Sequence, residues 1–249
     1  MNKGIILDVV RTRVASCTSH VLLAALETKQ LNVDTWRRFA IERYKAGVAF
    51  KDLLIQGIKQ SKAAGLVALV STIQANLNDE LGIVDGVQYP ALVHEQWRRD
   101  CYNAMGINTD TLAMLPAMEG TIFYLGSIQA LIEWGSAFHI SGALLFLELQ
   151  ISMEFKHIRK GRDLVFRDQF VDHPNDDTET RERKHRARLY IDDHIDHDAK
   201  DHFPKLLKAI TATKRTTRAD TEIVHGIEMM SRAKTAFYDS LANELIENT

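Results

Sequence analysis

The segment Gly142-Ala-Leu-Leu-Phe-Leu-Glu-Leu-Gln-Ile-Ser-Met153 carries a single carboxylate, Glu148, among mostly apolar side chains. A buried carboxylate is costly unless a cation or hydrogen-bond donors meet its charge. The segment offers no lysine or arginine as a partner. We therefore interpret Glu148 as an inward-facing metal ligand on a buried helix, in preference to a buried glutamate paired with a basic residue.

The rest of the chain has the periodicity of amphipathic helices. Apolar residues recur three and four positions apart, as in Trp36, Phe39, Ala40 and Tyr44, and strand-like alternation is absent. The pattern predicts an all-α bundle of seven to eight helices in a single domain, residues 1–249. The expected helices span residues 3–29, 34–59, 61–81, 90–105, 118–134, 136–160, 178–211 and 217–247.

Composition narrows the class of function. A net charge of −2 over 249 residues argues against a dedicated nucleic-acid binder and favours a small-molecule substrate. Two cysteines, Cys17 and Cys101, are too few for a disulfide framework or a thiolate zinc site. No uncharged apolar stretch is long enough to span a bilayer. We expect a soluble, cytoplasmic protein that does not bind membranes.

A second group of candidate ligands lies late in the chain. His194, Asp198 and His202 are spaced four residues apart, which keeps side chains near one face of a helix. A competing pair, His197 and Asp201, has the same spacing, but the next turn on that face offers no further ligand. We therefore prefer the three-member row as the metal-binding face.

Two further candidates, Glu80 and His94, flank a predicted helix break. The interval between them contains Gly82, Gly86 and Pro90, and we expect this loop to return His94 to Glu80. Carboxylates and imidazoles on facing helices are the donors that redox-active iron uses in helical bundles. The candidate ligands of a two-iron site are thus Glu80, His94, Glu148, His194, Asp198 and His202.

Four segments can be compared with known proteins: His20–Phe39, Asn76–Gly82 followed by His94, Gly142–Glu148 and Tyr190–Asp198. In this order they resemble the opening helix, the first ligand pair, the second glutamate helix and the last ligand helix of one family. That family is the haem-oxygenase-like di-iron oxidases, the group that includes the chlamydial death-domain-associated protein and its cyanobacterial relatives. The resemblance implies a haem-oxygenase-like helical bundle.

The last ligand helix departs from the family pattern. The family usually places its final histidine three residues after the aspartate, where this chain has Asp201 and then His202. Either a bulge in the helix rotates His202 inward, or Asp201 is the ligand.

The resemblance also implies a chemistry. Members of the family take two Fe(II) ions and O2, and they oxidise, cleave or rearrange small molecules, with amine-forming and nitrile-forming reactions among them. The implied substrate is an amino acid or a related carboxylic acid, aromatic ones included, in natural-product or cofactor biosynthesis. We expect a homodimer, because dimers are common for this architecture. The aromatic residues expected to line the pocket are Phe123, Tyr124, Trp134, Phe138 and Phe146.

The same architecture leaves other functions open. Thiaminase-like hydrolases need a nucleophilic cysteine, but we interpret Cys101 as a buried apolar residue. A second alternative is a cofactorless oxidase of the PQQ-synthase kind, and a third is haem oxygenase, with His20 as axial ligand. The fourth alternative is a non-enzymatic helical protein that binds a partner. Glu148 counts against the haem and partner-binding alternatives, since neither needs an inward carboxylate.

The charged stretch 159–188 is interpreted as a solvated loop leading into an exposed helix face, with a lid as the alternative.

Overall fold

The helical periodicity of the sequence is realised as an all-α bundle, as predicted. The computed structural model describes residues 3–28 and 31–246. The helices are α1 (Lys3–Thr18), α2 (Val21–Leu26), α3 (Val33–Gly47), α4 (Phe50–Ala63), α5 (Val67–Glu80), α6 (His94–Ala104), α7 (Glu119–Trp134), α8 (Ala137–Val165), α9 (Arg167–Phe170), α10 (Thr178–His197), α11 (Phe203–Ala212) and α12 (Thr217–Leu245). Short 3₁₀ turns span Pro90–Leu92 and Thr109–Met114, a π turn spans Asp198–His202, and β1 (Ile83–Val84) and β2 (Val87–Gln88) form one antiparallel hairpin.

Helix boundaries differ from the prediction where a break is too short to disturb the apolar periodicity. The first predicted helix is divided into α1 and α2, where the His20 side chain accepts a hydrogen bond from the Leu22 backbone N–H at 3.1 Å. The second divides into α3 and α4, and the hairpin of β1 and β2 replaces expected loop. The predicted helix ends at residues 29 and 247 lie outside the described residues.

The long helix α8 contacts α1, α4, α10 and α12, and its most extensive contact is with α12. At this crossing two glycines bring the backbones together. A Cβ atom on Gly142 would lie 2.0 Å from the Ile223 carbonyl oxygen, and one on Gly226 would lie 2.0 Å from the His139 carbonyl oxygen. Because no larger residue fits at either position, the crossing fixes where α8 lies and therefore where Glu148 lies, six residues after Gly142.

The charged stretch 159–188 is only partly the solvated loop that we expected. Most of its side chains are exposed, but Arg162 and Lys184 are buried. The Arg162 guanidinium lies 4.6 Å from the centre of the Phe170 ring, and the Lys184 ammonium donates to the Val171 carbonyl oxygen at 2.8 Å. The stretch is therefore packed against the bundle through these two buried cationic side chains. Across the described residues, no helix is both long and apolar enough to cross a membrane.

The glycine crossing predicts the effect of a single methyl group. We expect Gly142→Ala to lower the free energy of unfolding by about 1–3 kcal/mol, because the added Cβ forces α8 and α12 apart. The measurement is urea unfolding followed by circular dichroism. Gly126→Ala on α7 is the matched control, since nothing lies within 4 Å of its added Cβ and alanine favours a helix. Equal stability of the two variants would contradict the close crossing.

Candidate metal centre

The six predicted ligands come together as two groups of three. The first triad is Glu80, His94 and His194, and the second triad is Glu148, Asp198 and His202. Within each triad the potential ligand atoms all lie within 4.8 Å of one another. The donors come from the end of α5, the start of α6, the middle of α8, the end of α10 and the π turn. Residues distant in sequence therefore converge at one place in the bundle.

In the first triad, one carboxylate oxygen faces two imidazoles. Glu80 Oε1 lies 3.4 Å from His94 Nδ1 and 3.7 Å from His194 Nε2. His94 Nδ1 is buried and has no hydrogen-bond partner. A buried nitrogen without a partner is uncommon in proteins and requires an explanation. A metal ion held between these three side chains would provide one.

The hairpin after α5 returns His94 to Glu80, as we expected. Gly82 has φ +64°, and a Cβ on it would lie 2.8 Å from the Tyr89 carbonyl oxygen. The Tyr89 backbone N–H donates to the Gly82 carbonyl oxygen at 2.8 Å, which closes the loop. Asp85 and Gly86, both with positive φ, form the tip between β1 and β2. This closed loop allows α6 to begin at His94 beside the last residue of α5.

In the second triad, Asp198 and His202 lie beside the carboxylate of Glu148. Glu148 Oε2 and Asp198 Oδ1 each lie 3.4 Å from His202 Nδ1. The Asn76 side chain donates to Glu148 Oε1 at 2.9 Å. In the described part of the chain, no lysine or arginine forms an ion pair with Glu148, although it is only 2% exposed. As the sequence of the segment led us to expect, the Glu148 charge is not met by a lysine or arginine among the described residues.

The π turn explains the position of the last histidine. In a regular α-helix, residues four apart are rotated by about 40°, so a row of three drifts around the helix. Here the Phe203 backbone N–H donates to the Asp198 carbonyl oxygen, five residues back, and this wider turn opposes the drift. Pro204 contributes, because it has no N–H for the Lys200 carbonyl and its ring would clash there in a regular helix.

Of the two sequence expectations for this helix, the structure has the bulge. His202 is 5% exposed and faces the second triad. Asp201 turns outward, where its Oδ2 accepts from the Lys205 ammonium at 2.6 Å. His197 is exposed and pairs with Asp193.

Outer hydrogen bonds fix the orientation of two histidine rings. His194 Nδ1 lies 2.7 Å from the Tyr190 carbonyl oxygen, which can only accept, so this nitrogen carries the proton. His202 Nε2 lies 3.0 Å from Asp79 Oδ2. Each contact leaves the other ring nitrogen directed at the triad carboxylates. Such outer partners are typical of metal-binding histidines, because they select the tautomer and increase ligand basicity.

The electrostatics of the site favour positive charge. Burial raises the pKa of Glu148, Asp198 raises it further, and a hydrogen bond to His202 opposes both effects. Burial lowers the pKa of His202, but hydrogen bonds to Asp198, Asp79 and Glu148 raise it to about 12. The pKa of His194 is likewise raised to about 9 despite burial, by Asp198 and Glu80. Protons on imidazoles or bound cations must therefore balance the carboxylates.

The donor set fits iron. Three imidazoles and three carboxylates, without a thiolate, are intermediate-to-hard ligands of the kind that non-haem iron takes in helical bundles. Both triads combine the two donor types, and the unpartnered His94 nitrogen is directed at the first triad. The two triads would hold one ion each.

Residues 37–235 match a family model described as iron-containing redox enzyme. The chain belongs to this family of iron-containing redox enzymes. The match covers most of the chain and all six candidate ligands, and it confirms the family that the sequence segments resemble. As an oxidoreductase of this family, the protein has an inward-facing donor set of the appropriate chemistry.

Two solved structures share the fold of this chain over nearly its whole length. A CADD-like protein of unknown function from Nostoc punctiforme has a TM-score of 0.73 at 15% identity, with 98% of each chain covered. A TenA homologue from Pseudomonas syringae has a TM-score of 0.72 at 11% identity, covering 96% of this chain and 92% of its own. At these identities the likeness concerns the fold alone. No functionally curated protein matches the chain at a significant level.

Glu154 is a second buried carboxylate on α8 that the sequence pattern does not single out. Its Oε2 accepts from Arg43 Nε at 3.0 Å and from Lys234 Nζ at 3.1 Å. Burial raises the pKa of Glu154, but Arg43 and Lys234 hold it below the usual value. Both partners lie far away in sequence, on α3 and α12, so no local pattern could identify them.

The predicted aromatic pocket is wrong. The two cavities beside the triads are lined by none of the five aromatic residues that we expected. Trp134 and Phe123 are exposed on α7, while Tyr124 and Phe146 are buried core residues. The sequence shows that these aromatic residues recur at helical spacing, but it does not show which face of each helix is directed at the site. One cavity, of about 120 Å³, instead joins the first triad to Arg98, Arg43 and Tyr190.

The two buried glutamates of α8 give a paired test. With a chelator present, we expect Glu148→Gln to be as stable as wild type or more stable, because it removes a charge that burial disfavours. Glu154→Gln should lose about 3–5 kcal/mol, because it leaves Arg43 and Lys234 buried without their counter-charge. Thermal and urea unfolding measure both. A large loss in Glu148→Gln would show that its charge stabilises the protein without metal.

The π turn predicts which residue of the last helix binds metal. We expect His202→Ala to lose about one of two bound irons, whereas Asp201→Ala and His197→Ala keep both, because their side chains face outward. Iron per chain, measured by a ferrous chelator assay after anaerobic loading, is the readout. Loss of iron in Asp201→Ala with retention in His202→Ala would reverse the assignment.

Proposed function

We propose that the protein is a non-haem di-iron oxygenase or oxidase that uses two Fe(II) ions and O2 on a small amino acid or related carboxylic acid. The observation that carries this proposal is the pairing of two triads, each combining carboxylate and imidazole donors. His194 of the first triad and Asp198 of the second triad lie four residues apart at the junction of α10 and the π turn, which supports two adjacent centres. Membership of the iron-containing redox enzymes supports the choice of metal.

The side chains have separate tasks in this proposal. Two Fe(II) ions, when bound, would supply electrons for the reduction of dioxygen. The first triad would hold one ion and the second triad the other. The Tyr190 carbonyl and Asp79 keep His194 and His202 oriented as ligands. Leu81 and Ile151 line the cavity beside the first triad, and their apolar surfaces limit access of water to the reacting groups.

Specific contacts count against two alternatives. A thiaminase-like hydrolase needs a reactive cysteine, but burial raises the pKa of the Cys101 thiol to about 12, which disfavours the nucleophilic thiolate. Haem ligation by His20 is disfavoured because both ring nitrogens are engaged, by the Leu22 N–H and by Asp239 at 3.0 Å. Cofactorless oxidation and simple partner binding would leave the two buried triads without a role.

The proposal predicts a metal stoichiometry. We expect anaerobic titration with Fe(II) to reach about two ions per chain, because each triad offers three protein donors. Isothermal titration calorimetry and iron analysis after desalting measure it. Absence of iron binding, or a Soret band after addition of haem, would contradict the assignment.

Substrate class is tested on the same loaded protein. Aliphatic and aromatic amino acids and fatty acids are screened by oxygen uptake and product mass. Oxygen uptake dependent on an amino acid or short carboxylic acid is the expected result. Cleavage of thiamine without iron or oxygen would replace the mechanism with the hydrolase alternative.

A further inference from the structure

Two polar residues lie one helical turn from the histidines of the first triad. Arg98 follows His94 by four residues on α6, and Tyr190 precedes His194 by four residues on α10. Side chains at this spacing share a helix face. Helices α6 and α10 pack against each other, and the rings of His94 and His194 are 5.0 Å apart. Arg98 and Tyr190 therefore extend the polar lining of the cavity away from the triad.

Three hydrogen-bond donors converge around Gly47. A Cβ atom at Gly47 would lie 2.9 Å from Arg98 Nη1, 3.3 Å from Arg43 Nη1 and 3.8 Å from the Tyr190 hydroxyl oxygen. Glycine leaves free the space beside these groups that any other side chain would enter. Two guanidinium groups and a phenol are donors suited to a planar anion such as a carboxylate.

The Arg98 guanidinium has one buried donor without a partner. Arg98 is 8% exposed, its Nη2 pairs with Glu95, and its charge lies 4.4 Å from the centre of the Tyr44 ring. Its Nε is buried without a hydrogen-bond partner. Arg43 differs, because its Nε is already bound to Glu154. A buried donor without a partner indicates a group that a ligand or water must satisfy.

The cavity limits the size and shape of the ligand. Its volume is about 120 Å³, well below the roughly 300–1,000 Å³ of pockets that hold drug-sized molecules. Besides the first triad and the two arginines, the lining includes the apolar side chains of Phe50, Leu81, Val93 and Ile151. A short aliphatic chain would contact these apolar side chains, while one end would meet the first triad and the other end would meet Arg98.

We propose that Arg98, assisted by Arg43 and the Tyr190 hydroxyl, binds the carboxylate of a short aliphatic acid and holds its chain toward the first triad. This inference rests on the proposed function, since it assigns a substrate class to the same site. It favours aliphatic acids of a few carbons, with or without an amino group, over aromatic amino acids and long fatty acids.

The test compares an acid with its uncharged isostere. Pentanoate and pentanamide are each titrated calorimetrically into two samples of the whole chain. One sample is loaded anaerobically with Fe(II), and the other is treated with a chelator. We expect saturable binding of pentanoate and about tenfold weaker binding of pentanamide, because only the carboxylate carries a negative charge that pairs with the Arg98 guanidinium. In Arg98→Met, the ratio of the two affinities should fall to about one. Gly47→Ala should weaken the binding of pentanoate by about tenfold, because the added Cβ enters the anion site.

Arg99→Met is the matched control for charge. Arg99 is the next residue on α6, and its guanidinium pairs with Asp110 away from the cavity. This variant should bind pentanoate within about twofold of wild type. Circular dichroism and thermal unfolding establish that each variant is folded. If Arg98→Met does not fold, the acid-to-amide comparison in wild type and the loss in Gly47→Ala decide the question.

Two results would overturn the inference. One is an acid-to-amide ratio in folded Arg98→Met equal to that of wild type. The other is the absence of saturable binding for every straight-chain acid from propanoate to hexanoate. Iron titration of the same samples separates this inference from the proposed function. Carboxylate binding by the chelated protein without iron uptake would contradict only the di-iron function, whereas normal iron uptake without carboxylate binding would contradict only the Arg98 site.

Discussion

A carboxylate buried in an apolar helix must meet positive charge, and α8 carries two such carboxylates. Glu154 meets Arg43 and Lys234, which are supplied by α3 and α12. Glu148 pairs with no lysine or arginine among the described residues and instead faces the His202 imidazole and the Asp198 carboxylate. The first arrangement holds three helices together, because neither cation could remain buried without Glu154. The second leaves a charge that a metal ion would satisfy.

The positions of the other candidate ligands depend on local departures from regular helical geometry. The π turn directs His202 toward Glu148 and Asp201 toward solvent. The hairpin after α5 returns His94 to Glu80 through a glycine with positive φ. π bulges are frequent at functional sites, because the wider turn changes the direction of a side chain without ending the helix.

The buried ion pairs of Glu154 and the polar groups that line the cavity are connected. Arg43 links them, because its Nε binds Glu154 while its Nη1 lies near Gly47 and Arg98. The charge network that stabilises the bundle therefore also orients a cation at the edge of the cavity. A change at Glu154 should affect both stability and the anion site, whereas a change at Arg98 should affect mainly ligand binding.

The sequence alone determined the helical class, the family and the six candidate ligands. The family followed from the resemblance of four segments to known proteins. The helical class is encoded locally, because apolar periodicity specifies helices, and Glu148 is conspicuous because a carboxylate in an apolar segment is costly to bury. Only the tertiary structure decided the partners of Glu154, the inward direction of His202 and the residues that line the cavity. Each of these depends on contacts between helices distant in sequence or on a turn that breaks the regular period. Periodicity shows that a residue shares a face with others, but the packing of neighbouring helices decides what that face meets.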